Sequence, residues 1–377
     1  SVTVYARPTI TASATSTTLC LGNTTTLTGS GASTYTWTGG LTNGVSFTPT
    51  IGTSSYSVSG TSSLGCLSLN TATISLLVNP LPTVTAVASN TVICLNASIT
   101  LTGGGANTYT WTAPVGSVTN NVAFSPTSTA IYSVVGTSTA GCLSSNTAVV
   151  SVTVNSLPVV TASASNSVIC LGGNTTLSGG GAVTYTWTGG VTNNVAFSPT
   201  LTNTYTVTGT NANSCQNSAI VSVTVNPLPV VTANASSAGI CFTGTVILTG
   251  GGASTYSWTG GVTNGTVFSP PATASYSVSG TSTAGCTSTN VAAVVVSVTP
   301  LPAINGSANN PVICFGNSVT LNGSGGNTYT WTAAAGNPSN GVAFSPTATA
   351  SYSVIGTSLA GCTNTTPAVI TVTVNSL

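Results

Sequence analysis

Five times along this chain a cysteine is followed 17 residues later by a tryptophan: Cys20 and Trp37, Cys94 and Trp111, Cys170 and Trp187, Cys241 and Trp258, Cys314 and Trp331. A second cysteine closes each phrase, at Cys66, Cys142, Cys215, Cys286 and Cys362, and either series recurs every 71 to 76 residues. Self-similarity at this period means a row of small bodies, each folding around its own copy of the repeated residues. Repetition therefore sets the count at five, where division of 377 residues by an average domain size would give two or three.

Within each phrase the local pattern is that of strands. In TYTWT (184–188) Tyr185 and Trp187 share one face, and Thr184, Thr186 and Thr188 share the other. Val152 and Val154 of SVTV, and Tyr132 and Val134 of YSVVG, alternate in the same way, with Gly, Asn and Pro between the runs. The interval from Trp to the next Phe is 10 or 13 residues, so its insertion lies in a turn. Six or seven short strands per repeat and no helical pattern predict an all-β fold: a linear array of five small antiparallel Ig-like sandwiches.

The joints NPLP (79–82, 226–229), NSLP (155–158) and TPLP (299–302) place the repeats at 1–79, 80–155, 156–226, 227–299 and 300–377. Proline fixes its own φ and restricts the residue before it, so these joints are expected to be extended and stiff. An array of this kind would be a rod of roughly 150–200 Å by strand rise. Residues 1–4, SVTV, match the last strand of a repeat and read as a fragment of a preceding one; a strand donated between subunits would look similar.

Charge is almost absent. There is no Asp, Glu, His or Lys, and Arg7 is the only ionisable side chain besides tyrosines and cysteines. Acid–base catalysis near neutral pH needs a group tunable toward 7, and a serine or threonine nucleophile needs a neighbouring base, so the expectation is that this is not an enzyme. No metal or cofactor is expected, since calcium sites want carboxylate oxygens. Nucleic acid is not an expected partner, because phosphate neutralisation takes several basic residues. Polar residues break every apolar run well short of a spanning helix, so no membrane insertion is expected. Near-zero net charge also removes the repulsion that keeps globular proteins apart, and edge strands lack guarding lysines. Self-association through outward Thr and Ser faces follows as an expectation.

Ten cysteines, two per repeat, leave no odd thiol and predict one disulfide inside each repeat: Cys20 with Cys66, Cys94 with Cys142, Cys170 with Cys215, Cys241 with Cys286 and Cys314 with Cys362. Such a bridge would staple one end of its sandwich and, by closing a loop of 45 to 48 residues, would contribute roughly 4 kcal/mol in the chain-entropy model. A disulfide framework points to an oxidising, extracellular location. Of 23 aromatic residues, 20 form a five-fold set of Tyr, Trp, Phe and Tyr, and only Tyr5, Phe242 and Phe315 fall outside it. Trp37, Trp111, Trp187, Trp258 and Trp331 are accordingly expected in the cores, and Phe242 and Phe315 as packing beside a cysteine.

The run LCLGNTTTLTGSG, TYTWTGG, FSPTATASYSV, GTSTAGC and VSVTVNPLP, met with variation in all five repeats, resembles the Ig-like, PKD-like repeats of large cell-surface proteins of Bacteroidota, many of them exported by the type IX system. NANSC at 211–215 departs from the pattern by lacking the glycine before its cysteine. The resemblance implies an adhesin-like or filament-forming role on the bacterial surface or in a secreted filament. Together with the residue-level reading it predicts a structural, non-catalytic stalk that spans distance; the alternative is a set of adhesin modules that bind surface glycans through repeated weak sites.

Overall fold

A computed structural model of the chain describes residues 2–114, 116–334 and 336–376. The first repeat sets the plan with seven strands: β1 (Thr11–Ala14), β2 (Thr18–Cys20), β3 (Thr25–Ser30), β4 (Thr34–Trp37), β5 (Ser46–Phe47), β6 (Gly52–Thr61) and β7 (Ala72–Asn79). They form two sheets, ordered β1-β3-β5 and β2-β7-β6-β4. Every pairing is antiparallel except β2 with β7, which runs parallel with Thr18 opposite Leu77 and Cys20 opposite Asn79. The same pair of sheets recurs in each of the five repeats, an all-β fold without α-helix among the described residues.

The chain forms two compact units. One comprises Ser1–Ala162, Gly179–Thr188 and Thr206–Ile220; the other comprises Ser163–Ser178, Gly189–Tyr205 and Val221–Leu377. In the first unit, the core of the second repeat is Ile93, Ile99, Leu101, Trp111, Tyr132, Val134 and Val152. In the second unit, the fifth repeat builds the same core from Ile313, Val319, Leu321, Trp331, Tyr352, Val354 and Val372. Each such side chain contributes about 1.5–3 kcal/mol on burial. The alternation read from TYTWT holds: Tyr185 is half-buried, Trp187 is buried, and the three threonines are exposed.

Backbone approach explains a glycine common to all repeats. In the strand Ile99–Gly104, a Cβ on Gly103 would lie 2.4 Å from Cδ1 of Tyr109, so the ring lies flat against bare backbone. The phenol then reaches the next turn, where the Tyr109 hydroxyl donates to Ala106 O (2.7 Å) and accepts from Ala106 N–H (3.0 Å). Tyr35, Tyr185, Tyr256 and Tyr329 close the equivalent turns in the same way.

Candidate functional site: the cysteine joints

The parallel pairing of β2 with β7 decides where the first cysteine of a repeat sits. Cys20 ends beside Asn79, where the chain leaves the repeat, and Leu21 N–H donates to Asn79 O (2.9 Å). Cys66 lies in the turn between β6 and β7, at the opposite pole. Between those poles runs β7, whose eight residues span roughly 23 Å at strand rise. A disulfide requires α-carbons within about 7 Å, so no bridge can close inside a repeat.

The bonds instead run from each repeat to the next, correcting the within-repeat expectation. Cys20 pairs with Cys142, Cys94 with Cys215, Cys170 with Cys286, and Cys241 with Cys362, with α-carbons 5.5–5.6 Å apart. Cys66 and Cys314, expected in pairs with Cys20 and Cys362, are free thiols. Each bridge fastens the exit pole of one repeat to the β6–β7 turn of its successor, across a proline joint.

The turn that receives the bridge is preformed by hydrogen bonds. In the second repeat Cys142 N–H donates to Ser138 Oγ (3.1 Å), Ser138 N–H to Cys142 O (2.9 Å), and Gly141 adopts a φ of 79°. The departing sequence NANSC keeps this geometry by substitution. Asn211 Oδ1 accepts from Cys215 N–H at 3.0 Å, and Ser214 takes the left-handed position at φ 62°. Two further contacts tie the joint to the turn: Ser145 N–H donates to Pro82 O (3.2 Å), and the Asn146 amide brackets Val84, accepting from its N–H and donating to its carbonyl, both at 2.9 Å. Asn70 and Asn290 bracket Ile10 and Val231 in the same way.

All five tryptophans lie in the cores, 1–8 % exposed. Sequence reasoning missed the residue that positions them. Trp111 Nε1–H donates to Asn120 Oδ1 (3.1 Å), and the same oxygen accepts from Gly103 N–H (2.6 Å). Asn43, Asn264 and Asn340 do the same for Trp37, Trp258 and Trp331. The signal was present as an asparagine 6 or 9 residues after each tryptophan, and this is where the variable insertion falls. Phe242 and Phe315 are not core packing: both are about half exposed, as are Leu21 and Leu171 at the equivalent positions.

The remaining members of the aromatic set offer little platform for a sugar. Each Phe meets a Tyr edge-on, with Phe124 and Tyr132 centroids 5.6 Å apart and Phe197 and Tyr205 5.4 Å apart. An open groove of about 500 Å³ passes Phe197, Pro199 and Tyr205, and its counterpart at Phe124, Pro126 and Tyr132 measures about 170 Å³. Tyr205 and Tyr132 are buried beneath these grooves. Outward hydroxyls pair across β6 and β7, as in Ser55 with Ser75 (3.0 Å), Thr204 with Ser222 (2.9 Å) and Ser351 with Thr371 (2.9 Å). Among the described residues no three of His, Cys, Asp or Glu come together, and no helix is long and apolar enough to cross a membrane.

No family model and no curated protein matches the chain. Among solved structures it is similar to a Ca²⁺-stabilized adhesin with which an Antarctic bacterium reaches out and binds ice. Identity is 18 %, coverage 78 % of this chain and 99 % of that one, and the TM-score 0.31. The protocadherin GammaB4 extracellular domain is similar at 11 % identity, over 91 % of this chain and 77 % of that one, with a TM-score of 0.22. The N-terminal four Ig domains of Dscam1 are similar at 10 % identity, over 79 % and 98 %, with a TM-score of 0.19.

Proposed function

We propose that the chain is a structural, non-catalytic segment of an extracellular bacterial filament or adhesin stalk, a stiff row of repeats that carries load and self-associates laterally. The observation behind this reading is the covalent topology of the joints. From Val2 the shortest bonded route to Ser376 crosses from Cys20 to Cys142, from Cys170 to Cys286 and from Cys241 to Cys362, and so passes through under a third of the backbone. Tension on the ends is borne by these shortcuts even if individual repeats unfold, because an unfolded body can lengthen the whole only along the route that bears the force. Enzymes and binding modules have no need of such wiring, whereas a stalk exposed to drag does.

Disulfides at every joint also fit an oxidising exterior, where they persist. The neutral, hydroxyl-covered faces fit lateral association, since nothing repels a neighbouring copy. Surface location and the export route suggested by the repeat motifs belong to the same proposal. Immunogold microscopy of intact source cells with antibody to this segment tests it: decoration of filaments or stalks supports the reading, and confinement of the label to the cytoplasm sinks it. Glycan arrays address the adhesin-module alternative, which calls for binding that is lost on replacing Phe124 and Phe197 together.

A further inference from the structure

The asparagine that follows each tryptophan is also the second residue of a tight turn. In the first repeat Val45 N–H donates to Thr42 O (3.2 Å), with Asn43 and Gly44 between them and Gly44 at φ 77°. Val122, Val195, Thr266 and Val342 close the equivalent turns at 3.2–3.3 Å, and the third residue of each has a φ of 60–74°. A positive φ at the third position alone is the type II turn, which sets ψ of the second residue at about +120°.

The third residue divides the repeats into two classes. It is glycine in Asn43–Gly44, Asn264–Gly265 and Asn340–Gly341, and asparagine in Asn120–Asn121 and Asn193–Asn194. An asparagine cyclises most readily before glycine, because no side chain shields the following backbone nitrogen. The fold withholds both reacting groups. Gly44 N–H donates to Leu27 O (2.9 Å), Gly265 N–H to Leu248 O (2.8 Å) and Gly341 N–H to Leu321 O (2.9 Å). On the other side, the carboxamide oxygen of Asn43 accepts from Gly29 N–H (2.6 Å) and Trp37 Nε1–H (3.0 Å), and those of Asn264 and Asn340 are held likewise. At the ψ of a type II turn the following nitrogen is turned well away from Cβ, whereas the five-membered ring needs the two eclipsed.

We propose that Asn43, Asn264 and Asn340 are latent self-modification sites, closed while their repeat is folded and opened when it unfolds. In the opened chain the backbone nitrogen of the following glycine attacks Cγ of the asparagine. The new N–C bond forms as the Cγ–Nδ2 bond breaks, the backbone amide proton passes to the leaving nitrogen, and ammonia departs. Water then opens the cyclic imide at either carbonyl, leaving aspartate or, with the backbone lengthened by one methylene, isoaspartate. Nothing is oxidised or reduced, and water is the only co-reactant. Isoaspartate shifts the chain out of register at the turn, and either product brings a carboxylate to a chain whose side chains have none. An unfolding event is thereby recorded in the repeat that suffered it. The proposal rests on the turns alone and stands or falls independently of where the protein acts.

The test incubates the full disulfide-bonded chain at mildly alkaline pH, folded and in guanidinium chloride. Each asparagine is followed by peptide mass spectrometry and by isoaspartyl methyltransferase labelling. In denaturant, Asn43, Asn264 and Asn340 are expected to convert at least roughly tenfold faster than in the folded chain, and ahead of Asn120 and Asn193. Leu321→Ala, which removes a fully buried side chain from the core of the fifth repeat, localises the effect. Under native conditions Asn340 should then accelerate by about tenfold while Asn264 keeps its rate. If the fifth repeat unfolds outright in this variant, Asn340 reaches the denatured rate, so either degree of destabilisation reads the same way. Four outcomes overturn the proposal: equal rates in the folded and denatured chain, Asn120 keeping pace with Asn43 in denaturant, no acceleration of Asn340 in Leu321→Ala, or equal acceleration of Asn264 and Asn340 there.

Discussion

Cys94 and Cys215 lie 121 residues apart in the chain and 5.5 Å apart between α-carbons, and the bond between them joins the second repeat to the third. The sandwich cores of the first, second, fourth and fifth repeats do not depend on such a bond, because each is assembled from strands of one repeat. The disulfides stabilise the succession of bodies more than the bodies themselves.

Reduction should therefore separate two properties that fall together in a protein stapled internally. Closing a loop of about 120 residues restricts the unfolded chain by about 5 kcal/mol in the chain-entropy model, taken for one bridge alone. Mild reductant is expected to lower the melting temperature while leaving the β-sheet circular dichroism and buried-tryptophan emission intact at 25 °C. Amide exchange at Ser145, whose N–H donates to Pro82 at the end of the joint, should accelerate. Chymotryptic mapping of the oxidised chain should yield Cys94–Cys215 peptides; recovery of Cys94–Cys142 would refute the pairing.

Asn120 holds two donors, the Trp111 indole and the Gly103 amide, on one oxygen. Replacing it with leucine strands both, and an unpaired buried donor costs about 1–3 kcal/mol, so Asn120→Leu should destabilise the second repeat by about 2–4 kcal/mol. Asn120→Asp keeps an acceptor and should lose less. Chemical denaturation followed by tryptophan emission measures both, and equal losses would show that the oxygen is not what matters.

A methyl on Gly103 would meet the Tyr109 ring at 2.4 Å. Gly103→Ala is expected to cost about 1–3 kcal/mol, the usual range for overpacking. Adding Tyr109→Phe removes the hydroxyl that fixes the ring at Ala106, letting it move aside. A double-mutant cycle should then show the tyrosine replacement costing less in the Gly103→Ala background than in the native one, and strict additivity would contradict the ring-on-backbone account.

With no carboxylate, histidine or lysine side chain to titrate, stability should be nearly flat between about pH 3 and 8. The change comes on the alkaline side. Burial raises the Tyr132 and Tyr352 phenols above the usual 10.0, so the folded state holds those protons more tightly than the unfolded state does. That contribution is complete below the unfolded value and is lost as pH rises through the folded one. Melting temperatures should hold level through neutral pH and fall beyond about 10; a strong slope between pH 4 and 7 would be inconsistent with this.

Much of the fold was legible because short strands carry their own signature. Thr, Tyr and Val alternating at period two name both the strand and its inward face, and Trp187 and Val152 sit where that alternation puts them. Asn120 was harder to see, since a polar residue in a loop announces a turn and not an indole partner nine residues back. Phe242 and Phe315 were misread because hydrophobicity beside a cysteine suggests a core, while the strand end they occupy faces outward.

The order of residues alone determined the number of bodies, their β character, the aromatic set each packs inside and the near absence of charge, since all of these are properties of a chain segment and its nearest neighbours. The partner of each cysteine was decided only in three dimensions. Spacing along the chain specifies how long a loop would be, but not the pole of the sandwich at which either end emerges. The parallel pairing of β2 with β7 carries Cys20 to the exit pole while the β6–β7 turn holds Cys66 at the other, so the nearest sulfur belongs to the next repeat.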